Sequence, residues 1–457
     1  MATKAMTRSP GHRCSECGWS TVKWVGRCGE CQAWGTVSEI GAVGTRTTAA
    51  VMVDRPAIRI GEVDARQAEA RTTGVSEFDR VLGGGLVRGA VVLVAGEPGI
   101  GKSTLVLDVA ARAARQDQTV LYVTGEESAS QVRMRAERIE AMAKNLFLAA
   151  ETDLATVLGQ IHQIMPDLVV IDSVQTIASG EVDGAAGNVS QIREVAASLI
   201  QLAKSRGISI LLVGHVTKDG SIAGPRVLEH SVDVVIQFEG DRHSRLRLVR
   251  AVKNRYGPTD EVGCFDLSDV GIVGLPDPSG LFLSSRDLIV PGTCVTVALE
   301  GRRPLVTEVQ ALLSATTAPS PRRTTSGLDS SRVAMILAVL DKRAGVPVRQ
   351  ADCYVSTVGG VKVSEPASDL AIALAMAGSV SDRALPAGTV AIGEVGLAGE
   401  IRAVTGIPRF LRARLGFVTA VVPAGALGGD PTPPGIQVIE VSDIRRAVNL
   451  GFPARTR

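Results

Sequence analysis

The chain has 457 residues, of which 45% are hydrophobic and 21% are charged, so its composition is that of a globular protein and excludes a disordered or fibrous one. Its 49 Lys and Arg residues nearly balance 47 Asp and Glu residues, so net charge neither favours nor excludes a nucleic acid as partner, and any basic surface must be local. No apolar stretch is long enough to span a membrane and the N-terminus lacks the apolar core of a secretory signal, so we expect a cytoplasmic protein without membrane contact.

The beginning of the chain predicts a small module followed by a linker. Residues 1–40 contain four closely spaced cysteines, whereas residues 41–72 show no sustained hydrophobic periodicity. At roughly 100 to 200 residues per domain, the whole chain is long enough for two to four domains. We therefore expect a module over 1–40 and a linker over 41–72, followed by larger domains.

From about Thr73, short apolar runs alternate with segments of helical length. The predicted strands are 90–95, 119–124, 168–172 and 208–214, and the predicted helices between them are 102–115, 128–143 and 188–205. Strands separated by helices indicate βαβ units and a mostly parallel sheet, with ligands at the carboxyl ends of the strands. Two further apolar runs, 232–238 and 244–252, predict a hairpin or meander.

The sequence changes character after about residue 272. Gly and Pro become frequent, and a loop rich in Ser, Thr and Pro covers 314–331. Helices are predicted over 331–343 and 367–378. We interpret 73–271 as one α/β domain and 272–457 as a second.

The four N-terminal cysteines have the spacing of a metal site. Cys14 and Cys17, and likewise Cys28 and Cys31, are separated by two residues, which places two thiolates on each of two tight turns. Four thiolates complete a tetrahedral shell without an open position, so the pattern predicts structural zinc. A redox pair, chance clustering and an iron–sulfur cluster are the alternatives.

The same module contains all three tryptophans of the protein, which we expect to pack around the metal. Modules of this kind bind nucleic acid or protein, and basic residues favour nucleic acid: Lys4, Arg8, Arg13, Lys23 and Arg27. The remaining cysteines are scattered and predict buried small hydrophobic residues: Cys264, Cys294 and Cys353.

A complete phosphate-binding motif, G-x4-G-K-[ST], follows the first predicted strand and begins the first predicted helix. Its glycines allow backbone N–H groups to surround phosphates, Lys102 reaches the β- and γ-phosphates, and the Ser103 hydroxyl binds Mg²⁺. We expect ATP to be bound by the whole loop: Gly96, Glu97, Pro98, Gly99, Ile100, Gly101, Lys102, Ser103 and Thr104.

Carboxylates at two strand ends complete the predicted catalytic site. Asp172 ends an apolar strand, which suits a Mg²⁺-associated carboxylate, although an Asp that caps the next segment is the alternative. Glu126 follows another strand and is our predicted base for the attacking water, with Glu127 as the alternative. Either glutamate could instead stabilise a helix N-terminus.

Two further regions are candidates for coupling nucleotide to a ligand. His215 or Thr217, after the strand 208–214, could sense the γ-phosphate and move the loop 217–226, although a lone His is more often structural. Residues 242–255 contain six Lys or Arg and no acidic residue.

Within this basic segment, Arg245 and Arg247 are explained as solvated strand charges. Lys253 and Arg255 lie beside Gly257 in a predicted turn. Cations so placed can bind phosphates of nucleic acid or of a neighbouring subunit's nucleotide.

Taken together, these motifs resemble those of the bacterial RadA (Sms) DNA-repair proteins, over essentially the whole chain. The matching segments are the cysteine module, TGVSEFDRVLGGGL (73–86), GEPGIGKST (96–104), GEES (125–128), GHVTKDG (214–220) and KNRYG (253–257), in this order. The last differs from the family's usual KNRFG by Tyr256, which keeps an aromatic ring.

The resemblance implies a RecA-like ATPase core and a ring, a hexamer, with ATP between subunits. It implies that Lys253 and Arg255 act in trans or couple nucleotide to DNA, and that loops 173–187 and 217–226 face DNA in a central channel. The implied function is DNA-dependent ATP hydrolysis that drives branch migration with RecA, on single-stranded and branched DNA.

The C-terminal part resembles the proteolytic domain of Lon, but Ala367 stands where the Ser nucleophile belongs, and Pro408 or Arg409 where the Lys base belongs. An offset dyad would have to come from Ser364, Ser368 and Lys362. We interpret this domain as a non-proteolytic scaffold.

The expected fold is thus α/β: a zinc knuckle pair, a RecA-like P-loop ATPase core and a Lon-protease-like α/β domain. The alternative functions are an ATP-dependent Lon-like peptidase and a KaiC-type signalling ATPase, which shares the opening motif 73–86.

Overall fold

The structure, a computed structural model, describes residues 11–39, 57–64, 69–215, 228–240, 245–277, 290–358, 362–363, 365–412 and 417–452. The chain divides into two compact units, Met1–Asp64 and Ala65–Arg457. The segments 73–271 and 272–457 both belong to the second unit. Among the described residues, no helix combines the length and the apolar character needed to cross a bilayer.

The first unit is a three-stranded antiparallel sheet with a very small core. Its strands are β1 (His12–Cys14), β2 (Ser20–Thr21) and β3 (Val37–Glu39), in the order β2-β1-β3, and a 3-10 turn lies at Ile60–Glu62. Cys14, Cys28 and Val37 are buried, and Trp19 and Val25 pack against them. Because so small a core stabilises little, we expect the fold of this unit to depend on the metal site.

The prediction that all three tryptophans pack around the metal is wrong for two of them. Trp19 packs against the buried cysteines. Trp24 is 66% exposed and Trp34 is 75% exposed. The physical reason is size, because a core built on three small residues has no apolar face large enough to cover three indole rings.

The second unit begins with the elements of the first predicted α/β domain. In chain order they are β4 (Ala70–Arg71), α1 (Ser76–Leu82), β5 (Leu86–Val87), β6 (Val91–Gly96), α2 (Lys102–Arg115), β7 (Val120–Thr124), α3 (Ala129–Arg138), β8 (Leu146–Ala150), α4 (Leu154–Ile164), β9 (Leu168–Asp172), α5 (Val189–Arg206), β10 (Ser209–His215), β11 (Val234–Glu239), β12 (Leu246–Asn254), β13 (Val262–Ser268) and β14 (Gly271–Gly274).

These strands form a nine-stranded sheet in the order β14-β13-β12-β11-β6-β10-β9-β7-β8. From β8 to β11 all pairs are parallel, and β12 to β14 continue the sheet as an antiparallel meander. Side chains alternate between two cores, because Val92 and Val94 face one core with α2 whereas Val91 and Leu93 face the other with α5. The predicted parallel α/β architecture is confirmed.

The edge strand β8 and the helix α4 were not predicted. Phe147 and Leu148 of β8 are exposed, so this strand lacks the continuous apolar run of the buried strands. Edge strands pair on one side only and carry a weaker sequence signal. The predicted helix over 128–143 accordingly ends at Arg138 to make room for β8.

The last residues of the predicted linker belong to the folded second unit as an exposed strand. Ala70 and Arg71 pair with β5 as β4. Gly85 permits this pairing, since a Cβ on Gly85 would lie 2.0 Å from the Arg71 carbonyl oxygen. Gly83 of the same glycine run packs against Gly257, so the opening motif and KNRYG contact each other.

The C-terminal segment forms a second, seven-stranded mixed sheet. Its elements are β15 (Thr293–Glu300), β16 (Arg303–Ala315), β17 (Arg323–Ser326), α6 (Ser330–Val339), β18 (Ala351–Thr357), α7 (Asp369–Ser381), β19 (Thr389–Ala391), β20 (Glu394–Val395), β21 (Ile401–Arg402), α8 (Ile407–Arg412), β22 (Thr419–Pro423), β23 (Gln437–Val441) and α9 (Ile444–Gly451). The sheet order is β17-β18-β16-β15-β19-β22-β23. Helices α6 and α7 correspond to the two predicted helices, and a π-helical turn at Leu340–Ala344 extends α6. Cys264, Cys294 and Cys353 are buried, as predicted.

A buried ion pair joins the two sheets. Glu77 of α1 and Arg303 at the start of β16 are 1% and 5% exposed, and they form a salt bridge. The Cys264 backbone N–H donates to Glu77 at 3.0 Å, and Arg303 donates to the carbonyl oxygens of Leu275 and Pro276, each at 2.6 Å. Each charge therefore has a charged partner and further hydrogen bonds, as a buried pair requires.

We expect Arg303→Ala to lower the free energy of unfolding of the second unit by about 3–5 kcal/mol, because it leaves Glu77 charged and buried. Far-UV circular dichroism during denaturant titration measures the change. The matched control is Arg133→Ala, which removes the exposed Arg133–Glu137 pair of α3 and should cost about 0.3–0.5 kcal/mol. Equal effects of the two substitutions would contradict the structural role of Arg303.

Candidate functional site

The phosphate loop lies between β6 and α2 in the conformation that its glycines permit. Gly99 and Gly101 have φ of +77° and +110°, which side-chain-bearing residues rarely adopt. A Cβ on Gly96 would lie 2.8 Å from the Phe238 Cβ. Lys102 Nζ donates to the carbonyl oxygens of Gly96 and Glu97, each at 2.8 Å. Burial lowers the pKa of Lys102 to about 8, against the opposing effect of nearby carboxylates, so an arriving phosphate would restore full protonation.

Four neighbouring parallel strands place the predicted catalytic residues at one edge of the sheet. His215 of β10 pairs with Gly96 of β6, and Asp172 of β9 pairs with Val213 of β10 and Thr124 of β7. The register therefore aligns the phosphate loop, the β9 carboxylate and the segment after β7 at the carboxyl ends of the strands. This is where a ligand was expected.

Asp172 is buried, and one of its two carboxylate oxygens lacks a hydrogen-bond partner in the described part of the chain. Its Oδ2 accepts a hydrogen bond from the Tyr122 hydroxyl at 2.6 Å, and burial together with this carboxylate raises the pKa of Tyr122. Its Oδ1 is buried without a hydrogen-bond partner among the described atoms. A buried carboxylate oxygen needs a donor or a cation. Asp172 and the Ser103 hydroxyl, both hard oxygen ligands, therefore fit Mg²⁺.

Glu126 lies in a polar cluster, whereas Glu127 is held elsewhere. Oε1 of Glu126 accepts hydrogen bonds from Ser173 Oγ at 2.5 Å and His215 Nε2 at 2.8 Å. Burial alone would raise the pKa of Glu126, but these hydrogen bonds hold it below its ordinary value. Glu127 instead forms an ion pair with Arg135 of α3. Of the two glutamates, Glu126 has the position of an ionised base next to the phosphate loop.

Lys253 and Arg255 lie at the opposite end of the sheet from their own phosphate loop. Lys253 Nζ donates to the carbonyl oxygens of Glu229 and Val232, each at 2.8 Å. Arg255 pairs with Asp233 at 3.1 Å, and the same Asp233 accepts a hydrogen bond from the N–H of Val91, the first residue of β6. The five residue steps of β6 from Val91 to Gly96 separate this end from the start of the loop by about 17 Å. Neither cation can reach the nucleotide pocket of its own chain.

The segment 242–255 is not the free basic stripe that the sequence indicated. Arg245 pairs with Asp266, and Arg250 pairs with Glu239. The interpretation of Arg247 as a solvated strand charge is wrong, because its side chain is buried and its Nε donates to the Ile100 carbonyl oxygen at 3.1 Å. Arg247 thus supports the phosphate loop from β12. Arg242 lies outside the described residues.

Sequence reasoning missed three residues that shape the site. Ser173 directly follows Asp172, so the strand-end rule that selected Asp172 could have included it. Tyr122 lies inside a strand that reads as apolar, and its contact with Asp172 depends on the register of β7 and β9. Nothing in the sequence distinguishes Arg247 from the exposed arginines of the same segment.

The loop after β9, expected to contact DNA, is held by a buried glutamine. Gln191 of α5 accepts a hydrogen bond from the Ser179 N–H at 2.8 Å and donates to the carbonyl oxygens of Ser179 at 3.1 Å and Val182 at 2.5 Å. The loop 173–187 therefore has a defined shape. Thr217 and the loop 217–226 lie outside the described residues.

The four cysteines of the first unit have the geometry of a tetrahedral metal site. Sγ of Cys14 lies 3.7 Å from Sγ of Cys31, and Sγ of Cys17 lies 3.5 Å from Sγ of Cys28. All four sulfur atoms lie within 4.8 Å of one another. Zinc bonds of about 2.3 Å in a tetrahedron would separate the sulfurs by about 3.8 Å, so the shell fits zinc.

The C-terminal segment has no hydrogen-bonded Ser–Lys pair among its described residues. Ala367 is buried in an apolar cluster with Ile407 and Phe410. The Ser368 hydroxyl is buried and donates to the Glu365 carbonyl oxygen at 3.0 Å. Lys362 is exposed. Ser364 and the side chains of Pro408 and Arg409 lie outside the described residues.

Comparisons with known proteins agree with this geometry. A rubredoxin metal binding domain matches residues 12–39, and an AAA domain matches residues 56–221, which include the phosphate loop, Glu126 and Asp172. The chain is 53% identical over 449 residues to the DNA repair protein RadA of Mycolicibacterium smegmatis, covering 96% of each chain.

Two further relatives extend this similarity. The DNA repair protein RadA of Mycobacterium tuberculosis is 52% identical over 444 residues, 96% of this chain and 92% of that one. The DNA repair protein RadA of Streptococcus pyogenes is 45% identical over 445 residues, 96% of this chain and 98% of that one. The resemblance inferred from the motifs is confirmed, and with it an ATPase domain and a zinc ribbon. The chain belongs to the RadA family of DNA repair proteins.

Proposed function

We propose that this protein is a DNA-dependent ATPase that works as a ring, a hexamer, in the cytoplasm and drives branch migration of recombination intermediates together with RecA. The observation that carries the proposal is the pocket at the carboxyl ends of β6, β7, β9 and β10. In this pocket the phosphate loop lies near two carboxylates: Asp172, which is buried with one oxygen lacking a hydrogen-bond partner among the described residues, and Glu126, which accepts two hydrogen bonds. The membership in a DNA-repair family supports DNA as the partner, in single-stranded and branched forms.

The residues of the pocket have separate tasks in ATP hydrolysis. When ATP binds, the Lys102 ammonium group releases its hydrogen bonds to the carbonyl oxygens of Gly96 and Glu97 and binds the β- and γ-phosphates instead. Ser103 and Asp172 would hold Mg²⁺, which neutralises phosphate charge when bound. Glu126 orients the attacking water and accepts its proton, for which its lowered pKa keeps it ionised at neutral pH.

Lys253 and Arg255 act on a neighbouring subunit's ATP. Their distance from the phosphate loop of their own chain supports a role in trans, since cations contribute to phosphoryl transfer only when they contact the phosphates. A ring closes such head-to-tail contacts, so that every subunit supplies these cations to the next. Hydrolysis at the shared site would then move the loops 173–187 and 217–226 along DNA.

The proposal is tested by ATP turnover with and without single-stranded DNA, on protein whose oligomeric mass has been measured. We expect Mg²⁺-dependent turnover that rises with DNA, and DNA binding that weakens as salt increases. Lys102→Ala should abolish turnover, and Lys144→Ala, which removes an exposed lysine elsewhere, should not change it. Turnover that is indifferent to DNA at low salt, without measurable DNA binding, would overturn the proposal.

A further inference from the structure

Two tryptophan rings on the zinc unit are largely exposed to solvent. Trp24 and Trp34 are 66% and 75% exposed, while Trp19 alone serves the core. Large apolar side chains that are exposed next to each other, unlike singly scattered ones, mark an interaction site. The metal shell does not use these rings, and the nucleotide pocket lies in the other unit.

The exposed rings are neighbours that flank the half-buried Gly26. A Cβ on Gly26 would lie 3.7 Å from Cη2 of Trp24 and 3.8 Å from Cζ3 of Trp34. Trp24 Nε1 donates to the Val37 carbonyl oxygen at 3.1 Å, which fixes the plane of that ring. The Trp24 ring is therefore held in place before a flat ligand contacts it.

A cation lies beside the Trp34 ring, and a second cation is the sequence neighbour of Trp24. The Arg27 guanidinium lies 5.6 Å from the centre of the Trp34 ring, and its Nε donates to the Gln32 carbonyl oxygen at 2.9 Å, which holds it there. Lys23 precedes Trp24 directly and is exposed. No acidic residue occurs from Cys17 to Gly29. Exposed aromatic faces flanked by cations are the features that bind unpaired bases and their phosphates.

We propose that Trp24 and Trp34, with Lys23 and Arg27, form a stacking site for unpaired bases of single-stranded DNA. This inference rests on the proposed function for the identity of the partner and adds the residues that hold the strand. The described module has as many acidic as basic residues, so its contribution depends on stacking more than on charge. Paired bases of a duplex are already stacked and do not fit this site.

All three tryptophans of the protein lie in the zinc unit, so the tryptophan fluorescence of the full-length protein, excited selectively over its three tyrosines, reports on this unit alone. We expect oligo(dT) to quench the tryptophan fluorescence and a blunt duplex of equal length to leave it unchanged. The double variant Trp24→Ala/Trp34→Ala should bind labelled oligo(dT) about tenfold more weakly by fluorescence anisotropy, from the loss of base stacking.

Two variants serve as controls. Trp24→Phe/Trp34→Phe keeps aromatic faces and should retain most of the affinity, and Val22→Ala removes an exposed aliphatic side chain of the same unit and should retain all of it.

Lys23→Ala/Arg27→Ala should reduce the slope of log affinity against log salt by about 1.4, from two lost phosphate contacts on a single strand. Zinc content per chain verifies that each variant is folded. If the alanine variant loses zinc, the fluorescence titration of the unaltered protein decides the question.

The inference fails if oligo(dT) binds by anisotropy while tryptophan fluorescence stays unchanged, or if duplex quenches equally. It also fails if the zinc-containing alanine variant binds oligo(dT) normally. These outcomes leave the proposed function intact, because other residues would then hold DNA. Complete absence of DNA binding by the unaltered protein would instead contradict both the stacking site and the proposed function.

Discussion

Glu126→Gln is expected to lower ATP turnover by a factor on the order of 10² to 10⁴, the contribution of a general base, while ATP still binds. The amide has the shape of the carboxylate and can still accept the Ser173 hydrogen bond, but it cannot accept a proton from water at neutral pH. Single-turnover hydrolysis measures the chemical step, and a fluorescent ATP analogue measures binding.

Glu127→Gln is the matched control for this substitution. Because Glu127 is paired with Arg135 on α3, its neutralisation should change turnover by no more than about threefold, the effect of about 0.65 kcal/mol on the barrier. If Glu127→Gln abolishes hydrolysis and Glu126→Gln does not, the two glutamates have the opposite roles.

The pH dependence follows from the same contacts. Since the folded pKa of Glu126 lies below 4.5, the ionised base persists at all pH values above this, and its activity is lost only as the pH falls through the lowered value. Ser173→Ala removes one hydrogen bond that lowers this pKa, so the acidic limb of the pH–rate profile should move to higher pH.

Arg255→Ala is expected to lower turnover about 10³-fold, the low end of the range for an arginine that contacts the transferred phosphate. Mixing Arg255→Ala protein with Lys102→Ala protein should restore part of the activity. In a mixed ring, some interfaces combine the intact phosphate loop of one subunit with the intact Arg255 of the next. The measurement is steady-state turnover across mixing ratios.

The mixing experiment separates action in trans from action in cis. If Arg255 served its own chain's pocket, no subunit of the mixture would be complete and activity would stay absent. Arg245→Ala, which removes an exposed arginine paired with Asp266, is the control that should leave turnover unchanged. Mass measurement must show mixed assemblies, and mixed rings without restored turnover would contradict the role in trans.

Much of the fold could be predicted because the central strands are buried on both faces. Such strands are continuous apolar runs, and β6, β7 and β9 stand out from the sequence for this reason. The edge strand β8 lacks this pattern, since solvent covers one side of it. The meander β12 to β14 was only partly predicted, because antiparallel pairing depends on contacts with neighbours.

Some parts of the candidate site could likewise be predicted from local sequence patterns, whereas others depend on the tertiary structure. The phosphate loop and the cysteine spacing are local patterns, because glycine conformations and two-residue turns act over a few positions of the chain. Ser173, His215 and Glu126 come together only through the register of β7, β9 and β10. The choice between Glu126 and Glu127 likewise depends on Arg135, which a helix brings to Glu127.

The nucleotide loop, the zinc ligands and the family could be predicted from the sequence alone, because each is recognised from particular residue types at short, fixed spacings. Tertiary structure alone decided the environment of the arginines and tryptophans: Arg247 is buried under the phosphate loop, Arg255 lies at the far end of the sheet, and Trp24 and Trp34 face solvent. The physical reason is that burial and pairing of a side chain depend on residues that are distant in the chain and become neighbours only when the sheets have formed.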